Sequence, residues 1–416
     1  MSEITTSNAQ IVKSIKNSLQ EHGALDKSRK IVKTGSTYHI YALTPINRTS
    51  ELLNQHADEI SLDTYANAAP LEDQSLPGHV GRYLEQHLSA DPDNTKSALL
   101  ASLPKKWSLY PPMVLFGTGS FDLEIWTSAF KCQINKAHFF KSIAKAFPGK
   151  FTHFAINKPI IEDDVMRRPF NLIPLWGDFG PEPTPDLYSN PSESDLRNAF
   201  WCNAVQNGIR QTWAPRYTMF SRGNIKEKKR ILDSYDSLHG KAVLDLYAGI
   251  GYFTLSYLAN GATVFCWEIN PWSIEGLVQG LQKNNHLYKI FRSDAVVTQS
   301  ELLRYMAQGI KAFVFHESNE KAPKRLAQLR IDEISHINLG LLPSLKPSWP
   351  MARDFSNTKG DQTIVHVHEN AHIDTFSELI DEIEKVFSGN VLHLEKVKTF
   401  APDIWHVVVD VAVGVM

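Results

Sequence analysis

The chain of 416 residues has little cysteine. Cys132, Cys202 and Cys266 lie far apart and form no CxxC pair, which argues against a zinc ribbon or a disulfide framework and fits a reducing compartment. No stretch reaches the roughly 18 uninterrupted apolar residues that a membrane helix needs. Excess charge of one sign is missing too. Lys plus Arg number 43 and Asp plus Glu 45, a formal net charge of −2. That excludes a histone-like binder charged on every side, while leaving room for a local basic surface. Gly and Pro, at 22 each, are too few for a collagen-like or low-complexity chain. The start, MSEITTSNAQIVKSIKNSLQEHG, is polar, carries both charge signs and lacks the apolar core of a signal peptide. The expectation is a cytoplasmic protein with no membrane partner.

What is present is apolar material, 43% of residues, enough for two or three packed domains. Ile11, Ile15 and Leu19, with Asn8 before them and Gly23 after, predict a helix over 9–22. A strand is expected near Tyr38–Leu43 and helices over 51–60 and 80–88. The polar run LSADPDNTKS sets a boundary near residue 95. A strand in MVLFGTGSF, a helix over 137–147 and a strand in KFTHFAI follow. GDFGPEPTPDLYSNPSESD, with its four prolines, reads as a surface loop. Asn207-Gly208 between AFWCNAV and IRQTWAP is a hairpin signal, because both turn residues need positive φ. From about residue 240, apolar strands alternate with helices, the pattern of a mostly parallel sheet covered on both faces. The last two strands, in VLHLEKV and WHVVVDVAV, are joined by a short loop and so are expected to be antiparallel. The division predicted is a small region over 1–95, a middle α+β domain over 96–235 and the alternating strand–helix domain over 236–416.

The strongest chemical signal is Asp245-Leu-Tyr-Ala-Gly249-Ile-Gly251-Tyr-Phe-Thr254, after a buried strand and before a helix. Its glycines let backbone approach a ligand, and the helix start offers unpaired N–H groups. Thr254 stands where a dinucleotide fingerprint requires its third glycine, and there is no phosphate-cradling G-x-x-x-x-G-K-[ST]. The next strand ends at Glu268, whose acceptor-only oxygens suit a ribose diol. The one after ends at Ser293-Asp294-Ala295, where a carboxylate can accept an adenine amino group. Three successive strand tips thus predict a nucleoside-bearing ligand. His366, His368, His372 and Glu369 form no ligand set at firm spacing, so no metal is expected; Glu369-Asn370 and His316-Glu317 stay open as strand-tip groups.

On these motifs, residues 241–295 resemble the class I S-adenosylmethionine-dependent transferases, a Rossmann-like fold. WAPRYTMFSRGNIKEKKR (213–230) resembles a segment shared by two tRNA-modifying families, the guanine-37 N1-methyltransferases and the wybutosine-synthesising aminocarboxypropyltransferases. RYTMFSRGN-x-x-EK, HINLGLLPS (336–344) followed by Trp349, HVHEN (366–370) and LPKKWSLYPPMVLF (103–116) are closer to the second. The resemblance covers roughly residues 100–416. It implies transfer of the 3-amino-3-carboxypropyl group of S-adenosylmethionine to 4-demethylwyosine at position 37 of phenylalanine tRNA, with 5′-methylthioadenosine released. A monomer is expected, with the first 95 residues helping to grip the tRNA. The nearest alternative is N1 methylation of guanine 37; a tRNA-binding scaffold with a vestigial pocket is a third reading.

The resemblance implies residue roles as well. Ser221 and Lys228 are candidates for the methionyl carboxylate, Glu268 for the ribose, and Asp294 with Ala295 for the adenine. Asp245 orders the turn of Gly249 and Gly251. Asn338 and Pro343, in NLGLLP, occupy the place where relatives meet the target base. Arg216 stands where the methyltransferases carry Asn-Pro-Arg and can hold a phosphate, steer the base or be a surface arginine. RNA affinity must come from cations. Candidates are the cluster Arg216, Arg222, Lys226, Lys228, Lys229 and Arg230, a second one at Lys321, Lys324, Arg325 and Arg330, and Lys136, Lys141 and Lys145. Tyr217, Trp349 and Phe355 are candidate platforms for a flipped base.

Overall fold

Spacing and capping decide the first helix. Ile11, Ile15 and Leu19 share the buried face of Ala9–Glu21, Asn8 accepts a hydrogen bond from the Gln10 N–H, and Gly23 follows at φ +66°. The computed structural model describes all residues except 28, 44, 47–52, 65–72, 89–93, 159–168, 170, 343, 357–361 and 415–416. It divides into two units, residues 1–89 and 90–416.

In the first unit, β1 (Ser2–Thr6), β2 (Val32–Thr34), β3 (Thr37–Ala42) and β4 (Ser61–Thr64) form an antiparallel sheet in the order β2-β3-β1-β4. Ile4 and Ile40 meet the buried helix face. The helix expected over 51–60 is not found. Residues 51 and 52 lie outside the described set, and the remainder holds a single 3-10 turn, Asn54–His56. Leu53 and Ile60 both reach the core from this irregular path. The helix expected over 80–88 is Leu76–His87, started by Ser75 with a proline in its first turn.

In the second unit the helix Thr95–Ala101 is followed by β5 (Trp107–Tyr110), β6 (Met113–Gly117), β7 (His153–Asn157) and β8 (Leu172–Trp176), a sheet in that order. Phe121, Trp126, Phe139 and Phe140 pack edge to face beneath the helices Glu124–Cys132 and Lys136–Ile143. The proline-rich stretch expected to be a loop carries two short helices. Thr184 caps Pro185–Ser189, where proline sits at the first position, and Ser192 with Asp195 forms a capping box on Glu193–Asn198. Proline there starts a helix and breaks none. β9 (Cys202–Gln206) and β10 (Ile209–Trp213) form the expected hairpin, with Asn207 at φ +52° and Gly208 at φ +80°.

The remaining strands, β11 (Ala242–Asp245), β12 (Thr263–Glu268), β13 (Tyr288–Arg292), β14 (Ala312–His316), β15 (Ile334–Leu339), β16 (Thr363–His372), β17 (Asn390–Ala401) and β18 (Ile404–Val413), make one eight-stranded sheet. Its order is β13-β14-β12-β11-β15-β16-β18-β17. The first six are parallel; β18 runs antiparallel to both β16 and β17, as expected for the end of the chain. Alternate residues feed two cores. Val243, Val264, Cys266 and Val314 point to one, and Leu244, Phe265, Trp267 and Phe315 to the other. This mostly parallel α/β sheet with an antiparallel end is the fold class expected.

One patch of this sheet is polar. His336 Nδ1 lies 3.1 Å from His366 Nε2, and His366 Nδ1 lies 2.7 Å from Asp410 Oδ1. Arg230, from the helix Ile225–Ser234, donates to both Asp410 oxygens (2.5 and 2.9 Å) and to Glu227, and the Tyr235 hydroxyl donates to Asp410 (3.1 Å). Burial pushes the Asp410 carboxyl up, but His366 and Arg230 outweigh it and hold it well below the usual carboxylate range. The network clamps the helix onto β18. His366 and His368 are engaged inside the sheet, the latter with His406 at 3.0 Å. Asp410→Asn should lower the unfolding free energy by about 3 kcal/mol, the cost of breaking a buried ion pair, as read by urea denaturation at pH 7. Because the native carboxyl titrates below its unfolded value, the wild-type advantage is present above pH about 4 and is lost as the pH falls below it.

Candidate active site

Asp245, the last residue of β11, is wholly buried. Its Oδ2 accepts from the Thr254 N–H (3.1 Å) and hydroxyl (2.7 Å), and its Oδ1 from Asn338 Nδ2 (3.0 Å). One carboxylate thus joins the tip of β11, the start of the next helix and the tip of β15. The turn between is left-handed at Gly249 (φ +55°) and Gly251 (φ +86°). A Cβ on Gly251 would lie 2.6 Å from Leu277 Cδ1, so the following helices close over it only because it is glycine.

The turn is tied to β12 by Glu268. Oε2 accepts from the Gly249 N–H (2.8 Å), and Oε1 from the N–H groups of Ile269 (2.8 Å) and Asn270 (2.7 Å). A carboxylate has about four acceptor sites, so three are filled and one, on Oε2, remains. Burial raises this carboxyl's pKa against those hydrogen bonds.

Around the turn lies a cavity of about 510 Å³. Its walls are the turn itself, Glu268 and Ile269 at the tip of β12, Glu317-Ser318-Asn319 at the tip of β14, Gly340 to Leu342 after β15, the segment Met219–Asn224, and Lys398 with Phe400 from β17. Ser221, Gly249 and Glu268 line it, with Asp245 and Gly251 supporting the turn from beneath. Asn338 is buried and reaches the site through Asp245. Pro343 lies outside the described residues.

Asp294 and Ala295 are not in the cavity wall. They follow β13, which is the sheet edge, because β14 inserts between it and β12. The tip beside Glu268 is therefore that of β14. The two tips are bound together by Arg325, which donates to both Glu317 oxygens (2.8 Å each) and to the carbonyl of Ala295 (2.6 Å). A signal for this order is present in the sequence. AFVFH is apolar through four residues, as a two-sided buried strand must be, whereas YKIFR carries two charges and suits an edge.

Lys228 stands behind the wall. Its Nζ donates to Gln206 (2.8 Å) and Gln211 (2.6 Å) and lies over the rings of Phe220 (5.1 Å) and Tyr252 (5.0 Å), both of which face the cavity. Burial first, and the charge of Lys398 second, lower its pKa to about 7. Arg216 turns away, toward the Pro181 carbonyl (2.8 Å) and Glu182 (3.0 Å), while its neighbour Tyr217 is stacked on Trp272 at 3.6 Å. Tyr217, Trp349 and Phe355 are buried and offer no platform; Phe400, about half exposed, stands at the cavity instead. The first basic cluster is largely neutralised. Lys226 pairs with Glu395, Lys229 with Asp233, and Arg230 with Glu227 and Asp410. In the second, Lys321 bonds Ser293 and Arg325 is taken by Glu317. Glu369 braces the chain after β15, accepting from Ser344 and the Leu345 N–H.

A second cavity, of about 720 Å³, adjoins the first and shares Met219, Phe220 and Arg222 with it. Trp107, Tyr110 and Trp213 give it an aromatic lining, and Lys105 and Lys106 stand at it without an ion pair among the described residues.

Comparison with known proteins follows the same lines. The TRM5/TYW2 methyltransferase domain model matches residues 203–304. The tRNA wybutosine-synthesizing protein 2 of Saccharomyces cerevisiae is 35% identical over 471 aligned positions, covering 99% of this chain and 97% of that protein. Its counterpart in Schizosaccharomyces pombe is 40% identical over 348 positions, covering 82% and 79%. Among solved structures, Pyrococcus horikoshii TYW2 in complex with MeSAdo has a TM-score of 0.51 at 17% identity, covering 81% of this chain and 98% of that one, a likeness of fold.

The Lys228 environment makes a stability prediction. Between pH about 7 and 10.5 the unfolded chain holds a proton at this residue that the native state has released, so stability gains from rising pH across that window. The wild type should gain on Lys228→Met by up to about 1.4 kcal/mol per pH unit. Urea denaturation of both proteins at pH 7, 8 and 9 checks this; parallel curves would refute it.

Proposed function

Since the chain belongs to the tRNA wybutosine-synthesizing protein 2 family, we propose that it transfers the 3-amino-3-carboxypropyl group of S-adenosylmethionine to 4-demethylwyosine at position 37 of phenylalanine tRNA, releasing 5′-methylthioadenosine. The observation that carries this reading is identity along nearly the whole chain, joined to a cavity at the carboxyl tips of a parallel sheet, where nucleoside ligands of such folds sit. Its volume suits a ligand of that size.

The residues divide the work. Glu268 offers its one remaining acceptor site to a ribose hydroxyl. Ser318 and Asn319, at the tip beside it, are placed for the adenine. Ser221 takes the methionyl carboxylate, with Lys228 behind it. Asp245 and Asn338 hold the turn and act through it. The sulfonium of the co-substrate supplies an already activated leaving group. The protein's contribution is therefore placement: excluding water and holding the arm so that its methylene carbon lies in line with the acceptor carbon. The second cavity, aromatic and edged by Lys105, Lys106 and Arg222, is where the acceptor nucleotide approaches. Residues 1–95 act as a further tRNA grip and 96–235 lead through the basic segment into the catalytic domain, 236–416, in a monomeric cytoplasmic enzyme.

Incubation with tRNA bearing 4-demethylwyosine should yield methylthioadenosine and a nucleoside enlarged by the aminocarboxypropyl group, as read by mass spectrometry. A parallel incubation with tRNA carrying unmodified guanine 37 that yields S-adenosylhomocysteine and a methylated nucleoside would instead mark the guanine-37 N1-methyltransferase reading. Glu268→Ala should weaken methylthioadenosine binding about tenfold or more, the loss of a charge-assisted hydrogen bond together with the turn it holds. Asp294→Ala should change it by no more than about twofold, as an exposed substitution away from the site.

A further inference from the structure

The charged residues of the cofactor cavity are Arg222, Glu268, Glu317 and Lys398. The two carboxylates belong to the tips of β12 and β14, the nucleoside side. Among the described residues, the cations of the cavity that the carboxylate of an amino-acid arm can meet, Arg222 and Lys398, both come from outside the parallel strands. Arg222 also lines the second cavity, and its guanidinium donates to Ser108 (3.0 Å). Lys398 does not line that second cavity.

Three features aim Lys398 at the first cavity. The pairing of β17 with β18 slips between Lys396 and Lys398, an irregularity of the kind that re-aims a side chain. The lysine stem then crosses the backbone at Gly223, where a Cβ would lie 2.5 Å from Lys398 Cδ. Its Nζ ends 3.2 Å from Ser221 Oγ. The strand itself is moored at this place by Lys226, which reaches Glu395 (2.5 Å) and the Lys396 carbonyl (3.5 Å). Near it lies the buried Lys228, whose own ammonium is bound by two glutamine oxygens and, among the described residues, by no carboxylate. The charge of Lys398 disfavours a second charge on Lys228, and an anion beside Lys398 and Ser221 relieves that repulsion.

We propose that Lys398, with Ser221, binds the carboxylate of the co-substrate's amino-acid arm, so that the C-terminal hairpin is a wall of the catalytic cavity as well as the edge of the sheet. Lys228 does not touch the carboxylate; it stands behind, held by Gln206 and Gln211. The assignment rests on the function proposed above. It also gives the arm a fixed end, and hence a fixed position for the methylene that reacts.

Calorimetric titration of the full chain with S-adenosylmethionine and, separately, with 5′-methylthioadenosine tests it, since the second ligand lacks the arm. Lys398→Met should weaken S-adenosylmethionine about 10- to 100-fold, the range for losing a charge-assisted hydrogen bond, and leave methylthioadenosine within about twofold. Lys398→Arg should restore most of the loss, and Lys398→Gln serves if the methionine variant does not fold. Equal weakening of both ligands, or of neither, overturns the assignment and leaves the function standing. A wild-type chain that binds neither ligand overturns both.

Discussion

Asp245 is the constraint on which the cavity depends. A carboxylate with no solvent exposure survives only if its oxygens are supplied with donors, and here Thr254 and Asn338 supply them. The donors come from the helix after the turn and from a strand 93 residues further on. Satisfying one buried charge therefore brings two strand tips and a helix start to a single point. The left-handed glycines between them follow from that convergence, and Glu268 closes it from the next strand by accepting the Gly249 N–H.

A second buried carboxylate, Asp410, does for the periphery what Asp245 does for the centre. It draws the helix Ile225–Ser234 onto β18 through Arg230. That helix carries Lys228 and follows directly on the segment with Ser221; β18 carries its hairpin partner β17, and with it Lys398 and Phe400. The walls of the cavity farthest from the Gly-rich turn in sequence are thus assembled by ion pairs inside a sheet. The same network engages His366 of β16 with Asp410 and His336, and beside it His368 meets His406.

Basic residues show how a sequence pattern can mislead about surface charge. Arg216, Lys226, Lys229 and Arg230 form a dense run, yet each meets a carboxylate, and Arg216 and Arg230 are buried or nearly so. The exposed Lys105 and Lys106, an unremarkable pair in the chain, stand at the second cavity beside Arg222. A cation is available to a phosphate only where the fold has not already neutralised it.

Local chemistry was legible without the fold. The Asn207-Gly208 hairpin, the helix over Ala9–Glu21, the alternation that builds the parallel sheet, the Gly-rich turn and the acid at the end of β12 are all written in neighbouring residues, because turn conformation, capping and side-chain period act over a few positions. Sequence order, however, does not state spatial order. Which strand lies beside β12 is decided by which can be buried on both faces, and the apolar β14 displaces the charged β13 to the edge. That single exchange moves Asp294 and Ala295 away from the cavity and brings Glu317 to Asn319 into it. Lys398, separated from Ser221 by 177 residues, reaches it only through the docking of the last hairpin, a contact made by long-range ion pairs and an absent side chain at Gly223.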